Sequence, residues 1–292
     1  MSKVFLLTGS SRGLGRAIAE ATLAAGHQLV ATARRAESLE DLVERYGDQI
    51  LALPLDVTDA DQAESVVAAA VERFGRLDVV VNNAGYANLA AVEDVTSEDF
   101  REQLETNFFG VVNVTKAALP VLREQGEGHV IQVSSIGGRL ATPGLSAYQS
   151  AKWAVGGFSS VLAAEVAPLG IKVTVIEPGG MQTDWAGSSM EIAPISEPYR
   201  PVLGPMAALH ESESVALGDP AKVADVILQL AELDEPPLRL ILGSEAYAYA
   251  TAAAERQAES DRRWRELTIS TDRDDATDAQ RDPLGTRRTQ RQ

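Results

Sequence analysis

The stretch Val4-Phe5-Leu6-Leu7-Thr8-Gly9-Ser10-Ser11-Arg12-Gly13-Leu14-Gly15 joins an apolar run to a glycine-rich turn, and helical spacing from Leu14 to Ala25 follows. A buried strand running through glycines into a helix lets backbone amides and the helix dipole approach a pyrophosphate. Three glycines alone say little; opening a strand–helix–strand unit, they point to a dinucleotide. The same residues contain Gly9-x-Ser11-x-Gly13, the spacing of a hydrolase nucleophile elbow. That reading fails here. Only eight residues precede Gly9, too few for the upstream strands and oxyanion loop, and His27, His129 and His210 occupy no catalytic context. His27 and His129 read as strand-edge residues.

The pattern continues outward. Val4–Leu7, Leu29–Ala33, Ile50–Leu55, Val79–Val81, Val130–Val133, Val173–Ile176 and Leu238–Leu242 read as strands. Most lack period-2 alternation, as strands buried on both faces do. Helical spacing fills the intervals at Leu14–Ala25, Leu39–Tyr46, Ala60–Phe74, Glu98–Leu122, Ala147–Val166, Ala221–Leu233 and Ala246–Leu267. Ser38…Asp41, Thr58…Asp61 and Thr96…Asp99 resemble capping boxes at three helix starts. Such alternation predicts right-handed crossovers and a doubly wound, mainly parallel α/β sheet, Rossmann-like, in one domain over residues 1–269.

Two stretches break the rhythm. Residues 181–218 hold Pro194, Pro198, Pro201 and Pro205 among scattered apolar residues, the length of a substrate lid or binding loop. Its Met181, Trp185, Met190, Ile192, Ile195 and Tyr199 suit a bulky apolar substrate or simply pack the loop down. Residues 270–292 carry five Asp and five Arg with almost nothing apolar, and are expected to be a disordered tail.

Composition excludes several classes. With no cysteine among 292 residues there is no disulfide framework, thiolate nucleophile or zinc-finger site, and no metal site is expected. A net charge of −16 argues against nucleic acid. No apolar run approaches a membrane span or signal-peptide core, so a cytoplasmic protein is expected.

The glycines at 9, 13 and 15 resemble the TGxxxGxG motif of the compact branch of the short-chain dehydrogenase/reductase superfamily. The resemblance extends through Asn82-Asn83-Ala84-Gly85, Asn107-Phe108-Phe109-Gly110, Ser135, Tyr148-x-x-x-Lys152 and Pro178-Gly179, across roughly residues 3–245. It implies an oxidoreductase interconverting a carbonyl and a secondary alcohol of a small molecule, with a nicotinamide cofactor. The competing reading is a nucleotide-binding redox sensor without turnover. The complete set Asn107, Ser135, Tyr148 and Lys152 speaks against it.

An acidic residue ending strand 2 would bind a ribose 2′-hydroxyl and repel a 2′-phosphate. Ala33 occupies that position, Arg34 follows, and Arg12 sits in the glycine turn. Two guanidinium groups suit a phosphate dianion, so NADP(H) is expected over NAD(H); Arg35 reads as a solvated charge. By resemblance, Gly9, Ser11, Arg12, Gly13, Leu14 and Gly15 hold the pyrophosphate end, Asp56 and Val57 the adenine, and Asn83, Ala84 and Gly85 the ribose. Pro178, Gly179 and Thr183 would contact the nicotinamide.

Hydride transfer to a carbonyl builds negative charge on oxygen, which calls for a proton donor and a hydrogen-bond partner. Tyr148 and Lys152, four residues apart, share a helix face, and an ammonium nearby lowers a phenol pKa. The family roles implied are Tyr148 as acid/base, Lys152 lowering its pKa and holding the ribose, and Ser135 bonding the substrate oxygen. Asn107 would hold a water of the proton relay. Period-2 geometry turns Ser134 away from Ser135. Relatives pair the helices near 98–122 and 147–166, which implies a homodimer or homotetramer. Phe108, Phe109 and Val112 have the apolar character such an interface needs.

Overall fold

A computed structural model describes residues 2–181, 190–210 and 217–283, with backbone only at Leu209 and His210. Seven strands form one sheet: β1 (Val4–Leu7), β2 (Gln28–Ala33), β3 (Ile50–Pro54), β4 (Val79–Asn82), β6 (Gly128–Val133), β7 (Ile171–Pro178) and β9 (Arg239–Leu242). Their order is β3-β2-β1-β4-β6-β7-β9, and every pairing is parallel. The order reverses between β1 and β4. At such a switch point the loops leaving two neighbouring strands diverge and open a crevice at their carboxyl ends.

The strands are mainly apolar on both faces because the sheet serves two cores. Phe5 and Leu7 of β1 pack with Leu14 and Ile18 of α1 (Gly13–Ala24), Leu42 of α2 (Glu40–Tyr46) and Ile227 of α8 (Pro220–Glu232). Val4 and Leu6 face the other way, onto Val66 and Val67 of α3 (Ala60–Phe74), Val114 of α5 (Gly110–Gln125) and Leu162 of α6 (Ser146–Val166). The period-2 pleat therefore separates two helix layers, as a doubly wound sheet requires.

The helix expected over Glu98–Leu122 is α4 (Ser97–Leu104) and α5 joined by a π-helical turn, Glu105–Phe109. There the Gly110 N–H reaches back five residues to the Glu105 carbonyl. The extra residue shifts Asn107 into the interior, and such wide turns recur at functional sites. Periodicity alone does not reveal it, because one inserted residue shifts the apolar phase by less than a third of a turn.

Start signals hold at one helix of the three. Thr96 caps α4 by accepting the Asp99 N–H at 3.0 Å. The cap of α3 is Asp59, not Thr58: Asp59 accepts the Gln62 N–H at 3.0 Å, while Thr58 donates to Asp56 at 2.8 Å. At α2 the N-cap position is Leu39 and Ser38 instead donates to the Arg35 carbonyl at 2.6 Å, closing a tight turn. His129 is likewise no edge residue. It lies buried within β6, 2.9 Å from Thr174, and burial pushes its imidazole down to about 4.

The 181–218 region has structure that its sequence does not announce. Met190–Ile192 (β8) pairs in parallel with Ala87–Leu89 (β5), and Arg200–His210 forms α7. The Ser196 N–H donates to Asp94 at 3.0 Å and the Tyr199 hydroxyl to Glu93 at 2.7 Å, so the insertion is fastened to the segment after β5. Short strands without alternation, each needing a partner about a hundred residues away, carry no local signal.

The chain divides into two units, Met1–Ala250 and Thr251–Gln292. The boundary lies before residue 269 because α9 (Ser244–Arg263) has buried residues only at Ala246 and Ala250. In the second unit no described residue is buried. It holds the end of α9, α10 (Arg265–Ile269) and α11 (Asp278–Arg281), the last with a Thr277–Gln280 capping box.

Candidate active site

The crevice at the switch point is a cleft of about 1590 Å³. At one end stands the glycine turn. Gly9 and Gly13 have φ of 71° and 54°, which L side chains rarely adopt. A Cβ on Gly15 would collide with the Gly9 carbonyl. The loop after β4 clamps this turn: the Thr8 hydroxyl accepts the Asn83 and Ala84 N–H groups at 2.9 and 3.0 Å. Asn83 Nδ2 donates in return to the Thr8 and Gly9 carbonyls at 3.0 and 3.1 Å. Helix α1 starts at Arg12 with no side-chain cap, unlike α3, α4 and α8, and its first residues Gly13, Leu14 and Gly15 line the cleft. A helix that begins uncapped in a cleft wall offers its amides and dipole to an anion.

Ala33, Arg34, Arg35 and Ser38 line the cleft beyond the end of β2, so Arg35 belongs to the wall as well as Arg34. Asp56, Val57 and Thr58 continue it after β3, with Asp56 Oδ1 held by the Thr58 N–H at 3.0 Å and hydroxyl at 2.8 Å.

The other wall brings Asn107, Ser135, Tyr148 and Lys152 together, with Pro178 and Gly179 beside them. Tyr148 and Lys152 project from the same face of α6, and the Lys152 ammonium lies 5.6 Å from the Tyr148 ring centre. Tyr148 is hydrogen-bonded to Ser135, whose hydroxyl also accepts the Gly137 N–H at 3.0 Å. Ser134 does point elsewhere, donating to the Lys152 carbonyl at 3.3 Å. Lys152 Nζ donates to the Val133 carbonyl at 2.9 Å. A Cβ on Gly85 would sit 2.5 Å from Asn107 Oδ1 and 3.6 Å from Lys152 Nζ, so only glycine lets the loop after β4 press against them.

Two expectations change here. Burial, more than the lysine, governs the tyrosine: it pushes the Tyr148 phenol up to about 12, with the Ser135 bond pulling weakly the other way. The same burial pushes Lys152 down to about 8, because its ammonium faces a carbonyl and no carboxylate. Burial shifts both groups toward their neutral forms, yet with a pKa of about 8 Lys152 stays mostly protonated at neutral pH. Both amide hydrogens of Asn107 are engaged, donating to the Tyr86 and Gln103 carbonyls at 2.9 and 2.8 Å, and Oδ1 accepts the Tyr86 N–H at 3.1 Å. A water held here would therefore donate, to the second lone pair of Oδ1 or to the backbone of the π turn.

The cleft also contains residues that no motif marks, among them Tyr86, Asn88, Leu145, Gln149, Met190 and Glu191. Tyr148 shares a buried apolar cluster with Ala87, Leu89 and Met190, against which Leu145, Ile192 and Met206 pack, so described residues of the insertion belong to the tyrosine's surroundings. Thr183 and Trp185 lie outside the described residues. Behind the site, the buried carboxylate of Glu177 in β7 joins Arg139 at 2.6 Å and Arg239, tying the loop after β6 to the strand that delivers Pro178.

The short chain dehydrogenase family model matches residues 3–192 of this sequence. The chain belongs to that family. Oxidoreductase BOA17 of Botryotinia fuckeliana is 54% identical over 272 residues, spanning 92% of this chain and 99% of its own. A short-chain dehydrogenase from Streptomyces avermitilis superposes with a TM-score of 0.88 at 41% identity, covering 94% of this chain and all of that one. An alcohol dehydrogenase from Thermococcus sibiricus, solved with 5-hydroxy-NADP, gives 0.69 at 29% identity over 83% and 96% of the two chains. This short-chain dehydrogenase is accordingly an oxidoreductase with a nicotinamide-dinucleotide fold. Among its described residues no helix is long and apolar enough to cross a membrane, and no side-chain cluster could hold a metal ion.

Proposed function

We propose that the protein interconverts a carbonyl and a secondary alcohol using NADP(H), with Tyr148 as the proton donor. The observation that carries this reading is the meeting of Ser135, Tyr148 and Lys152 in the same cleft as the glycine turn. The residues present fit the cofactor. The uncapped first turn of α1 and the positive-φ glycines suit the pyrophosphate, and no carboxylate ends β2 to repel a 2′-phosphate. Arg34, with Arg12 across the glycine turn, supplies the charge that a phosphate dianion needs. When bound, the nicotinamide supplies a hydride to the carbonyl carbon.

The protein's own residues then manage the proton. Tyr148 Oη gives its proton to the carbonyl oxygen, and Ser135 Oγ bonds that oxygen as it gains charge. A phenol kept protonated by burial carries the proton that reduction needs, but it is a weak acid and is not available as a base until its environment gains positive charge. Lys152 supplies that charge and restores the proton, and its pKa of about 8 leaves it mostly protonated at neutral pH and able to release a proton nearby. Asn107, through the π turn, gives the relay its outlet. The intact set distinguishes this reading from a non-catalytic nucleotide sensor. A panel of ketones and aldehydes incubated with NADPH or NADH, followed by loss of the reduced-nicotinamide absorbance, tests it. Turnover with NADPH on some member is expected; tight NADPH binding with no turnover across the panel would favour the sensor.

We propose further that the protein is a homodimer or homotetramer through α5 and α6. Phe109 of the π turn that leads into α5, and Trp153 and Val161 of α6, are 43, 55 and 60% exposed, apolar side chains that pairing of two copies would cover. Light scattering at micromolar concentration should return at least a dimer mass; a monomer would contradict it.

A further inference from the structure

Gln149 stands next to Tyr148 in the first turn of α6 and is 7% exposed. Its Oε1 accepts the Thr142 N–H at 2.8 Å, which fixes the orientation of the amide. Nε2 is therefore the end that remains, and among the described hydrogen bonds it donates to nothing. It is also close to the reaction centre. A Cβ on Gly137 would sit 3.3 Å from Gln149 Nε2 and 3.3 Å from Ser135 Oγ, so the amide and the hydroxyl flank one small space that glycine leaves open. Gln149 and Gly137 both line the cleft. Nε2 meets the solvent of the cleft, so a bound ligand that displaces that water without supplying an acceptor leaves the donor unpaired, at a cost of about 1–3 kcal/mol.

We infer that Gln149 is a specificity-determining residue whose Nε2 donates to a second oxygen of the substrate. The substrate class is a ketone carrying another acceptor oxygen two or three bonds from the reacting carbonyl, as in a 3-keto ester. With the reacting oxygen on Tyr148 and Ser135, an oxygen that close along the same chain falls within reach of Nε2. Leu145 and Met190, in the same wall, provide apolar surface for the rest of the chain. A monoketone would leave the amide unpaired, and rejecting ligands that lack the matching polar group is how buried donors discriminate. This assignment rests on the carbonyl-reductase reading.

The test compares ethyl acetoacetate with 2-heptanone, which has the same chain length and only the reacting oxygen. The quantity read is the ratio of their kcat/KM values in wild type, Gln149→Glu and Gln149→Met, all with NADPH. Comparing ratios between proteins cancels the greater intrinsic reactivity of the keto ester. Gln149→Glu retains an oxygen for the Thr142 N–H but loses the donor; Gln149→Met loses both. The ratio should fall about tenfold in both variants. An unchanged ratio in Gln149→Glu overturns the assignment. So does a fall in Gln149→Met alone, which would make the residue an anchor for the Thr142 loop. If the wild type binds NADPH but reduces neither ketone nor any other carbonyl, the failure lies with the carbonyl-reductase reading. If it reduces both ketones and the ratio ignores the substitutions, only the Gln149 assignment fails.

Discussion

The wall of the cleft that follows β1 and β4 is mostly backbone and small residues, whereas the wall made by α6 with Met181, Met190 and Glu191 is mostly side chains. The first is held by the reciprocal bonds of Thr8 and Asn83 and by glycines that no other residue replaces. The second depends on Tyr148, Gln149 and Lys152 from one helix, with Met190 and Met206 brought from far along the chain. Backbone recognition suits a ligand common to many enzymes. Side-chain recognition leaves room for the substrate to differ. The two walls should therefore fail differently when altered, one through cofactor KM and the other through kcat.

The largest effect belongs to Tyr148→Phe. It removes one hydroxyl and keeps the ring against Met190, so folding and NADPH binding should survive. Turnover should fall by about 10²–10⁴-fold, the usual loss for a general acid. A parallel loss of cofactor affinity, read by fluorescence titration, would erase the division between the walls. Ser135→Ala should cost roughly 10²-fold in kcat, as loss of one donor to a developing oxyanion does. Cofactor affinity should again be kept.

At the cofactor wall the expected effect is smaller. Arg34→Ala should raise the NADPH KM about tenfold, the worth of one exposed charge-assisted bond, and leave kcat and NADH use nearly unchanged. Equal loss with both cofactors would mean that Arg34 does not meet the 2′-phosphate. Smallest of all is Ser134→Ala. Among the described hydrogen bonds its hydroxyl donates only to the Lys152 carbonyl, at 3.3 Å, so kcat should stay within a few-fold of wild type.

The same contrast explains what the sequence makes legible. All seven sheet strands and the glycine turn are visible because each is decided locally, by an apolar run or a backbone conformation that only glycine adopts. Gly9, Gly13 and Gly15, Asn83 to Gly85, and Tyr148 with Lys152 fall together in one cleft for that reason. The pairing of Ala87–Leu89 with Met190–Ile192 is not legible, because neither segment is a strand without the other. Gln149 carries no motif; its meaning depends on the Thr142 N–H and on a glycine at 137. The Tyr148 pKa is hidden in the same way. Helical spacing to Lys152 gives the neighbour, but only the packing of Leu145, Met190 and Met206 shows that burial outweighs it.

The central claim is that Tyr148 carries the proton, and the pH dependence of alcohol oxidation tests it most directly. Oxidation needs the phenol deprotonated, so kcat/KM should climb as pH rises toward the Tyr148 pKa. Burial alone holds that pKa at about 12, and the positive charge of Lys152 draws the limb to lower pH. Measured from pH 6 to 11 with NADP, roughly the span between a histidine and a free tyrosine, the wild type should show a rising alkaline limb. Tyr148→Phe, assayed on its residual activity, should show none. The same limb in both proteins would assign the proton to another group and contradict the account.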